Sequence, residues 1–273
     1  METRRADELS LSQLTEAWNL GYAGYFVPIQ FTESQLAHWM AAGSFDLSRS
    51  LVLMDGESPA GFSFLGVRGR RGWIGGFGIA PDYRGRGLAH QLFAEHVRLF
   101  REEGLEGVQL EVLVENWAQR VYAGAGFAVT RRLAILEGRL PESAPAAPVQ
   151  EGDPGELLRH STRLHGEYPP VWQREPESLA VSLPAQAEAL RMGPAEAPTG
   201  YLIYQAGAER VRIIEAAGEA AEARALVEGL AHRHPGAAVA VVNEPEGSPL
   251  HRVLTALGLR ESRAQWEMRW QPR

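Results

Sequence analysis

One stretch, residues 73–93 (WIGGFGIAPDYRGRGLAHQLF), constrains the fold of this chain more than any other. It begins as an apolar strand, breaks at Pro81-Asp82, passes through Arg84-Gly85-Arg86-Gly87 and continues with apolar residues at helical spacing. The first amides of a helix have no intrahelical partner and carry partial positive charge, so they attract anions. Glycines before them let the backbone close around an anion. The stretch therefore predicts a strand–loop–helix junction that binds a diphosphate.

The composition limits the partners and chemistries that are compatible with such a site. The chain has 273 residues, enough for two cores, and its formal net charge of −7 argues against nucleic-acid binding through a basic surface. Cysteine and lysine are absent, which excludes thiolate metal sites and an acyl group carried on cysteine. The histidines show no metal-ligand spacing, so no metal is expected. A charged N-terminus and the lack of a long apolar run predict no signal peptide, no membrane partner and a cytoplasmic location.

The residues around the junction predict helices and strands in a definite order. Apolar spacing and capping residues favour two helices, then a strand hairpin leading into the junction strand, then the long helix, a strand, a short helix and a strand. This order predicts an α/β (α+β) fold with helices packed on a mixed, mostly antiparallel sheet. The predicted segments are 10–20, a helix from Thr32, 48–54, 61–67, a strand from Trp73, 88–100, 108–114, 115–122 and 127–140.

The second half of the chain repeats the first after a break in pattern. Residues 141–155 are rich in proline, alanine and acidic residues without periodicity, which predicts a linker between domains at 1–140 and 156–273. Gly61-Phe62 matches Gly200-Tyr201, and the helix-to-strand turn 121–127 matches 253–259. The second copy is shorter between its hairpin and its next strand, where the first copy has the glycine loop. The sequence therefore predicts a second copy of the fold without the anion site.

Taken together, these features resemble the GNAT superfamily of acyl-CoA-dependent N-acyltransferases. The family signature Q/R-x-x-G-x-G/A corresponds here to Arg84-Gly85-Arg86-Gly87-Leu88-Ala89. Asn116 follows the next strand, and Tyr122 is followed by Ala125-Gly126-Phe127 at suitable spacing. The likeness covers roughly Leu11 to Leu140. The C-terminal half resembles a degenerate copy, an arrangement known in tandem members of the family, so two GNAT-like domains are expected.

The resemblance implies how the chain would hold acetyl-CoA. The amides of Arg84, Gly85, Arg86, Gly87, Leu88 and Ala89 would bind the pyrophosphate, and the strand edge at Phe77, Gly78 and Ile79 would pair with the pantetheine arm. A bulge near this edge would splay two strands and direct an amide to the thioester carbonyl. Asn116 would hydrogen-bond the pantetheine or the start of the helix. Tyr122 would protonate the departing thiolate, because a phenol with a pKa of about 10 can donate to a thiolate whose parent acid has a pKa of about 8.5.

Each of these residues also has a structural interpretation. The glycine loop could be a plain strand-to-helix turn, Tyr122 a core tyrosine and Asn116 a helix cap. The arginines at residues 68, 70 and 71 could meet the 3′-phosphate of CoA or form a solvated hairpin turn. No titratable residue occurs between Trp73 and Ala80, so the general base is open. Glu111 is the candidate on the neighbouring strand, with Glu115, a water relay and an already neutral amine as alternatives.

The function expected from the sequence is acetyl transfer from acetyl-CoA to a primary amine by direct attack in a ternary complex. A small molecule or a peptide could supply the amine, and Tyr22, Tyr25 and Phe26 suggest that it has an apolar or aromatic portion. The rival hypothesis is a non-catalytic protein that binds or senses acyl-CoA. Leu254 stands where Tyr122 stands in the first copy, so a second catalytic site is not expected. A monomer or a homodimer is compatible with the sequence.

Overall fold

The chain forms two compact units in the computed structural model, which describes residues 1–143, 146–208 and 210–272. The first unit consists of Met1–Thr130 and the chain from Glu267 onward, and the second consists of Arg131–Trp266. The sequence-based division placed residues 131–140 in the first domain and a linker at 141–155. In the structure, residues 131–140 belong to the second unit, and the predicted linker contains a strand at Gln150–Gly152 and the start of a helix at Pro154.

The first unit is a sheet with helices packed on it. Its strands lie in sequence order, with antiparallel pairing up to the fourth strand and parallel pairing between the fourth and fifth. The first strand was not predicted, because its charged residues lack apolar alternation, and it pairs along a buried second strand. The elements are β1 (Glu2–Arg5), α1 (Leu11–Gly21), α2 (Glu33–Gly43), β2 (Leu51–Asp55), β3 (Ser58–Arg68), β4 (Arg71–Ile79), α3 (Leu88–Glu102), β5 (Gly107–Leu113) and α4 (Gln119–Gly124).

Local sequence fixes where the first two helices begin. Ser10 accepts a hydrogen bond from the Gln13 amide, and the Gln13 side chain accepts one from the Ser10 amide. Thr32 and Gln35 form the same reciprocal pair at the start of α2, which confirms the predicted capping box. From α1, Trp18 enters an aromatic core and stacks on Phe31, with ring centroids 5.1 Å apart.

Strand β4 contains the irregularity that shapes the site. Phe64 pairs with Gly76 and Leu65 with Ile74, so Gly75 is an extra residue that forms a β-bulge. Parallel pairing with β5 ends at Trp73 opposite Gln109, and no later pair joins the two strands within the described residues. Strands β4 and β5 therefore diverge beyond Trp73, and the bulge implied by the family resemblance is present.

The glycines of β4 leave space that other parts of the protein occupy, mostly aromatic rings. An added Cβ would lie 2.3 Å from the Trp73 ring at Gly75 and 2.4 Å from the Trp18 ring at Gly76. At Gly78 it would lie 2.8 Å from the backbone of Gly21. These side-chain positions are thus filled by α1 and its neighbours, so a ligand has access only to the strand edge.

The second unit repeats this architecture. Its strands lie in the order β6-β11-β10-β9-β8-β7, with the first residues of β12 beside β6. Ile214 forms a bulge in β10, and the parallel pairing of β10 with β11 ends at Ile213 opposite Val241. The elements are β6 (Ala128–Arg139), β7 (Gln150–Gly152), α5 (Pro154–Leu158), α6 (Ser161–His165), α7 (Pro176–Ser182), β8 (Glu188–Met192), β9 (Gly200–Ala206), β10 (Arg210–Gly218), α8 (Ala220–Arg233), β11 (Ala238–Pro245), α9 (Pro249–Ala256) and β12 (Arg260–Trp270).

The last residues of β12 complete the first unit. From Glu267 onward the chain belongs to that unit, and these residues lie beside β5. Trp270 is buried there, with its ring centroid 5.6 Å from that of Phe100 on α3. The core of the first unit therefore uses residues from both ends of the chain.

Candidate functional site

The glycine loop before α3 is exposed. Gly85 and Gly87 have φ of +75° and +77°, a left-handed conformation that favours glycine. A Cβ at either position would meet nothing within 4 Å, so the space beside both glycines is open. No side chain among the described residues caps the first turn of α3, which begins at Leu88. The amides of Leu88 and Ala89, together with that of His90, which sequence reasoning missed, are therefore available to an anion.

Arg84 does not face this opening. Its amide donates to the Pro81 carbonyl at 3.2 Å, so it is already engaged, although the sequence analysis counted it among the diphosphate ligands. Its guanidinium donates to the carbonyls of Ile79, Gly21 and Ala23 at 2.8, 3.2 and 2.7 Å. The second arginine of the loop, Arg86, lies over the Tyr83 ring at 5.5 Å.

Tyr122 lies on α4 beside the gap between β4 and β5. Its ring packs against Phe77 of β4, Phe93 of α3 and Phe127, with centroid distances of 5.8, 4.9 and 6.4 Å. Burial raises the pKa of the Tyr122 phenol well above 10, and the nearby phenols of Tyr22 and Tyr25 raise it further. Tyr122 is therefore a core residue whose hydroxyl stays protonated at neutral pH.

The loop after α1 brings two more phenols to this region. The rings of Tyr22 and Tyr25 are 5.3 Å apart and nearly perpendicular, and Phe26 continues the series at 5.4 Å from Tyr25. Burial raises the pKa of the Tyr22 phenol, and the nearby Tyr25 phenol raises it further. A hydrogen bond with the Phe77 backbone lowers this pKa by a smaller amount. The structure thus places Tyr22 beside β4 and groups it with the Tyr122 phenol.

Glu111 is held by an indole that the sequence analysis did not connect with it. The Trp73 Nε1–H donates to Glu111 Oε2 at 2.7 Å, and the buried Trp73 ring stacks on Phe45 at 5.7 Å. Trp39 of α2 contacts Trp73 at 5.7 Å and donates from Nε1 to the carbonyl of the bulge residue Gly75 at 3.3 Å. The parallel pair Trp73–Gln109, two residues before Glu111, is the geometric reason for this contact, and strand register is not readable from the sequence.

Asn116 and two of the three arginines at the β3–β4 hairpin contact the protein's own backbone. The Asn116 side chain accepts a hydrogen bond from the Ala118 amide at 2.9 Å, in the turn before α4. The helix itself begins at Gln119 without a side-chain cap, so the cap expected at Asn116 is not formed. Arg68 donates to the Ala42 carbonyl at 3.2 Å. Arg70 donates to the Gly104 carbonyl at 3.1 Å and pairs with Glu106 at 2.6 Å. The Arg68 and Arg70 contacts join the hairpin to the end of α2 and to the turn after α3.

In the second unit, the corresponding gap is filled by charged side chains. Arg174 pairs with Glu215 of β10 at 2.5 Å and with Glu244 of β11 at 2.8 Å, and all three residues are buried. His165 reaches the other Glu215 oxygen at 2.5 Å, and Ser248 donates to Glu244 at 2.5 Å. Carboxylates inside two otherwise apolar strands were the sequence signal for this cluster, and the sequence analysis did not use it.

The second unit also lacks the two features that mark the first. Its helix α8 begins at Ala220, directly after β10 ends at Gly218, so there is no glycine loop. Leu254 is fully buried on α9, where α4 carries Tyr122. Within the described ranges, the glycine loop and the buried tyrosine therefore occur together in the first unit alone.

Comparison with known proteins finds a family match in the first unit. Residues 12–127 match the sequence profile of the Acetyltransferase (GNAT) family. The matched residues lie within Met1–Thr130 of the first unit. No curated protein matches the chain in sequence.

Solved structures of GNAT proteins share the fold of the whole chain. A GCN5-related N-acetyltransferase from Sphaerobacter thermophilus is 13% identical, with 99% of this chain and 95% of that chain covered and a TM-score of 0.65. A putative acetyltransferase from Pyrococcus horikoshii is 14% identical, with 100% and 89% covered and a TM-score of 0.66. A tandem GNAT protein from the clavulanic acid biosynthesis pathway is 15% identical, with 99% and 98% covered and a TM-score of 0.63. The tandem GNAT arrangement predicted from the repeat is confirmed.

The family match over residues 12–127 supports acyl transfer as the class of reaction. Among the described side chains, no group of three or more His, Asp or Glu residues is placed to hold a metal ion. None of the helices in the described ranges is long and apolar enough to cross a membrane.

Proposed function

We propose that the chain is an N-acetyltransferase that moves acetyl from acetyl-CoA to a primary amine by direct attack within a ternary complex. The GNAT family profile and the family's general use of acetyl-CoA support the donor. One observation carries the proposal: an open glycine loop at the start of α3 and the Tyr122 phenol flank the same gap between β4 and β5. The acceptor is a small-molecule or peptide amine.

The residues that are present fit coenzyme A. Gly85 and Gly87 leave open space beside the loop, and the amides from Gly85 to Ala89, together with that of His90, would hold the diphosphate. Beyond Trp73, the edge of β4 that faces away from β3 has no strand partner in the described ranges, so Phe77, Gly78 and Ile79 would pair with the pantetheine arm. Asn116 would keep its contact with the Ala118 amide and border this arm.

The side chains around the gap have distinct roles in the proposed reaction. Acyl-CoA supplies an activated thioester when it is bound. The Tyr122 hydroxyl holds a proton and donates it to the sulfur as the thiolate departs. Glu111, oriented by Trp73, accepts a proton from the attacking amine, directly or through one water molecule. The amine attacks directly, because the chain has no cysteine to carry the acyl group.

The absence of cysteine means that the protein itself gives no signal in a thiol assay of this function. Free CoA thiol can be measured with a thiol reagent without background from the protein. The expected result is CoA binding by calorimetry together with release of CoA thiol from acetyl-CoA in the presence of at least one amine of a broad panel. Tight CoA binding without thiol release for any amine would favour the rival hypothesis of a non-catalytic acyl-CoA-binding protein.

Replacing Glu111 with glutamine tests the base. We expect kcat/KM for the amine to fall by about 10²–10⁴-fold, because general base catalysis contributes that much. CoA affinity should not change. Glu115→Gln, in the exposed turn after β5, is the matched variant. If Glu115→Gln lost activity while Glu111→Gln retained it, the roles would have to be reassigned.

Replacing Gly87 with alanine tests the diphosphate loop. A left-handed backbone costs a residue with a Cβ roughly 1–2 kcal/mol, and relief of this strain would move the loop out of the shape that surrounds an anion. We expect CoA to bind about tenfold more weakly, the equivalent of about 1.4 kcal/mol, as measured by calorimetry. Gly104→Ala has a similar φ of +66° at the far end of α3 and should leave CoA affinity unchanged. Equal affinity of Gly87→Ala and the wild type would exclude the loop as the diphosphate site.

A further inference from the structure

The loop between α1 and α2, residues 22–31, packs on the core at its two ends, through Tyr22 at one end and Ile29 and Phe31 at the other. It contains no helix or strand, and its middle, from Phe26 to Pro28, is exposed. At its far end, the Asn19 side chain exchanges two hydrogen bonds with the Phe31 backbone, at 2.9 and 2.8 Å. A segment with little buried surface has low local stability, so its conformation depends on such individual contacts.

Arg84 holds the near end of this loop. Its guanidinium bonds the Gly21 carbonyl at the end of α1 and the Ala23 carbonyl inside the loop, and its Nε bonds the Ile79 carbonyl at the end of β4. The last carbonyls of a helix carry partial negative charge, which favours a cation there. The planar guanidinium can donate to several acceptors at fixed angles, which a lysine ammonium cannot reproduce.

The same residue begins the glycine loop. Gly85 follows Arg84 directly, and the open amides start there. When an anion fixes residues 85–89, it also fixes the backbone from which the guanidinium reaches the α1–α2 loop. That loop carries Tyr22 and Tyr25, whose phenols lie near that of Tyr122.

We propose that Arg84 is a positioning residue that couples occupancy of the glycine loop to ordering of residues 22–31 on the acceptor side. The inference rests on the proposed function only in taking the diphosphate of CoA as the occupant. Coupling of two binding sites is reciprocal, so acyl-CoA strengthens acceptor binding and the acceptor strengthens acyl-CoA binding by the same factor. The tyrosine side of the site is thereby completed after acyl-CoA binds.

Hydrogen–deuterium exchange with CoA as the probe tests this coupling without knowledge of the acceptor. In the wild type, we expect saturating CoA to slow exchange of amides in residues 85–92 and, by about fivefold or more, in residues 22–31. Protection of 85–92 without protection of 22–31 would overturn the coupling. Protection of neither segment would instead mean that CoA does not bind the loop, and the proposed function itself would fail.

Two arginine variants then assign the coupling to one side chain. In Arg84→Ala, CoA should still protect residues 85–92, but protection of residues 22–31 should be lost. Arg86→Ala removes the same charge from the same loop without touching the carbonyls of α1, so the coupled protection should persist. Persistence of the coupling in Arg84→Ala would show that another contact transmits it. If Arg84→Ala does not fold, Arg84→Lys, which keeps the charge but not the fork of donors, should weaken the coupling in the same assay.

Discussion

Tyr122→Phe is expected to lower kcat by about 10²–10⁴-fold, the usual contribution of a general acid. Phenylalanine keeps the ring contacts with Phe77, Phe93 and Phe127, so the core around α4 should persist. CoA affinity should therefore stay within experimental error, which isolates the loss to the hydroxyl. The measurement is kcat by thiol release beside a CoA binding isotherm.

The pH dependence gives a second check on Tyr122. Burial and the neighbouring phenols hold its pKa well above 10, so the proton it donates is present throughout the neutral and mildly alkaline range. We expect no loss of wild-type activity from ionisation of Tyr122 below a pH of about 10. Tyr204→Phe, which removes the hydroxyl bonded to Glu188 in the second unit, is the matched control and should retain activity. Full activity of Tyr122→Phe would refute the acid assignment.

The second large effect is expected in the other unit, from Arg174→Met. Arg174 pairs with two buried carboxylates, and its removal leaves Glu215 and Glu244 without their cation. Breaking a buried ion pair by deleting one partner costs about 3–5 kcal/mol of unfolding free energy. Urea denaturation should show this loss in the transition of the second unit.

The buried cluster around Arg174 also predicts that the stability of the second unit falls in acid. The direction of this effect follows from the pKa of Glu215. Burial alone raises the pKa of this carboxyl, but Arg174 and His165 together lower it below its usual 4.5. A lowered folded-state pKa contributes stability that is complete above the unfolded value and declines as the pH falls through the folded value. The second unit should therefore weaken below a pH of about 4.5, and Glu215→Gln should remove that part of the dependence.

An exposed pair serves as the control for Arg174. Arg98 and Glu102 form an ion pair on the surface of α3, and Arg98→Met should cost no more than about 1 kcal/mol. A similarly small loss of unfolding free energy in Arg174→Met would mean that the two carboxylates become hydrated or protonated when the arginine is absent. The interpretation of the cluster as a buried ion pair that stabilises the second unit would then be wrong.

The sequence was sufficient to predict the elements but not the contacts between them. Apolar periodicity and capping residues predicted α1, α2, α3 and the hairpin, because these features are local. The role of the glycines in β4 could not be predicted from the sequence. Their side-chain positions are filled by aromatic rings, including those of Trp18 and Trp73, and this packing depends on the tertiary structure. Strand β1 was not predicted for the same reason, because it forms by pairing with β2.

The direction of a long side chain was the hardest property to predict. Arg84 in a glycine loop suggested an anion ligand, whereas its guanidinium binds three carbonyls from two separate segments. Arg174, which the sequence analysis did not single out, is the cation that pairs with two buried carboxylates. Sequence spacing places a residue in an element, but its partners depend on the path of distant chain.

The return of the chain to its first unit at Glu267 has a consequence for synthesis. Residues 131–266 leave the ribosome between the two parts of that unit, so its sheet stays incomplete while the entire second unit is made. Trp270 covers Phe100, and until it arrives this face of α3 remains exposed to other apolar surfaces in the cell. Nascent chains with such exposed surface are prone to aggregate and depend on chaperones. For this protein, the N-terminal unit begins to form first but is the last to be finished.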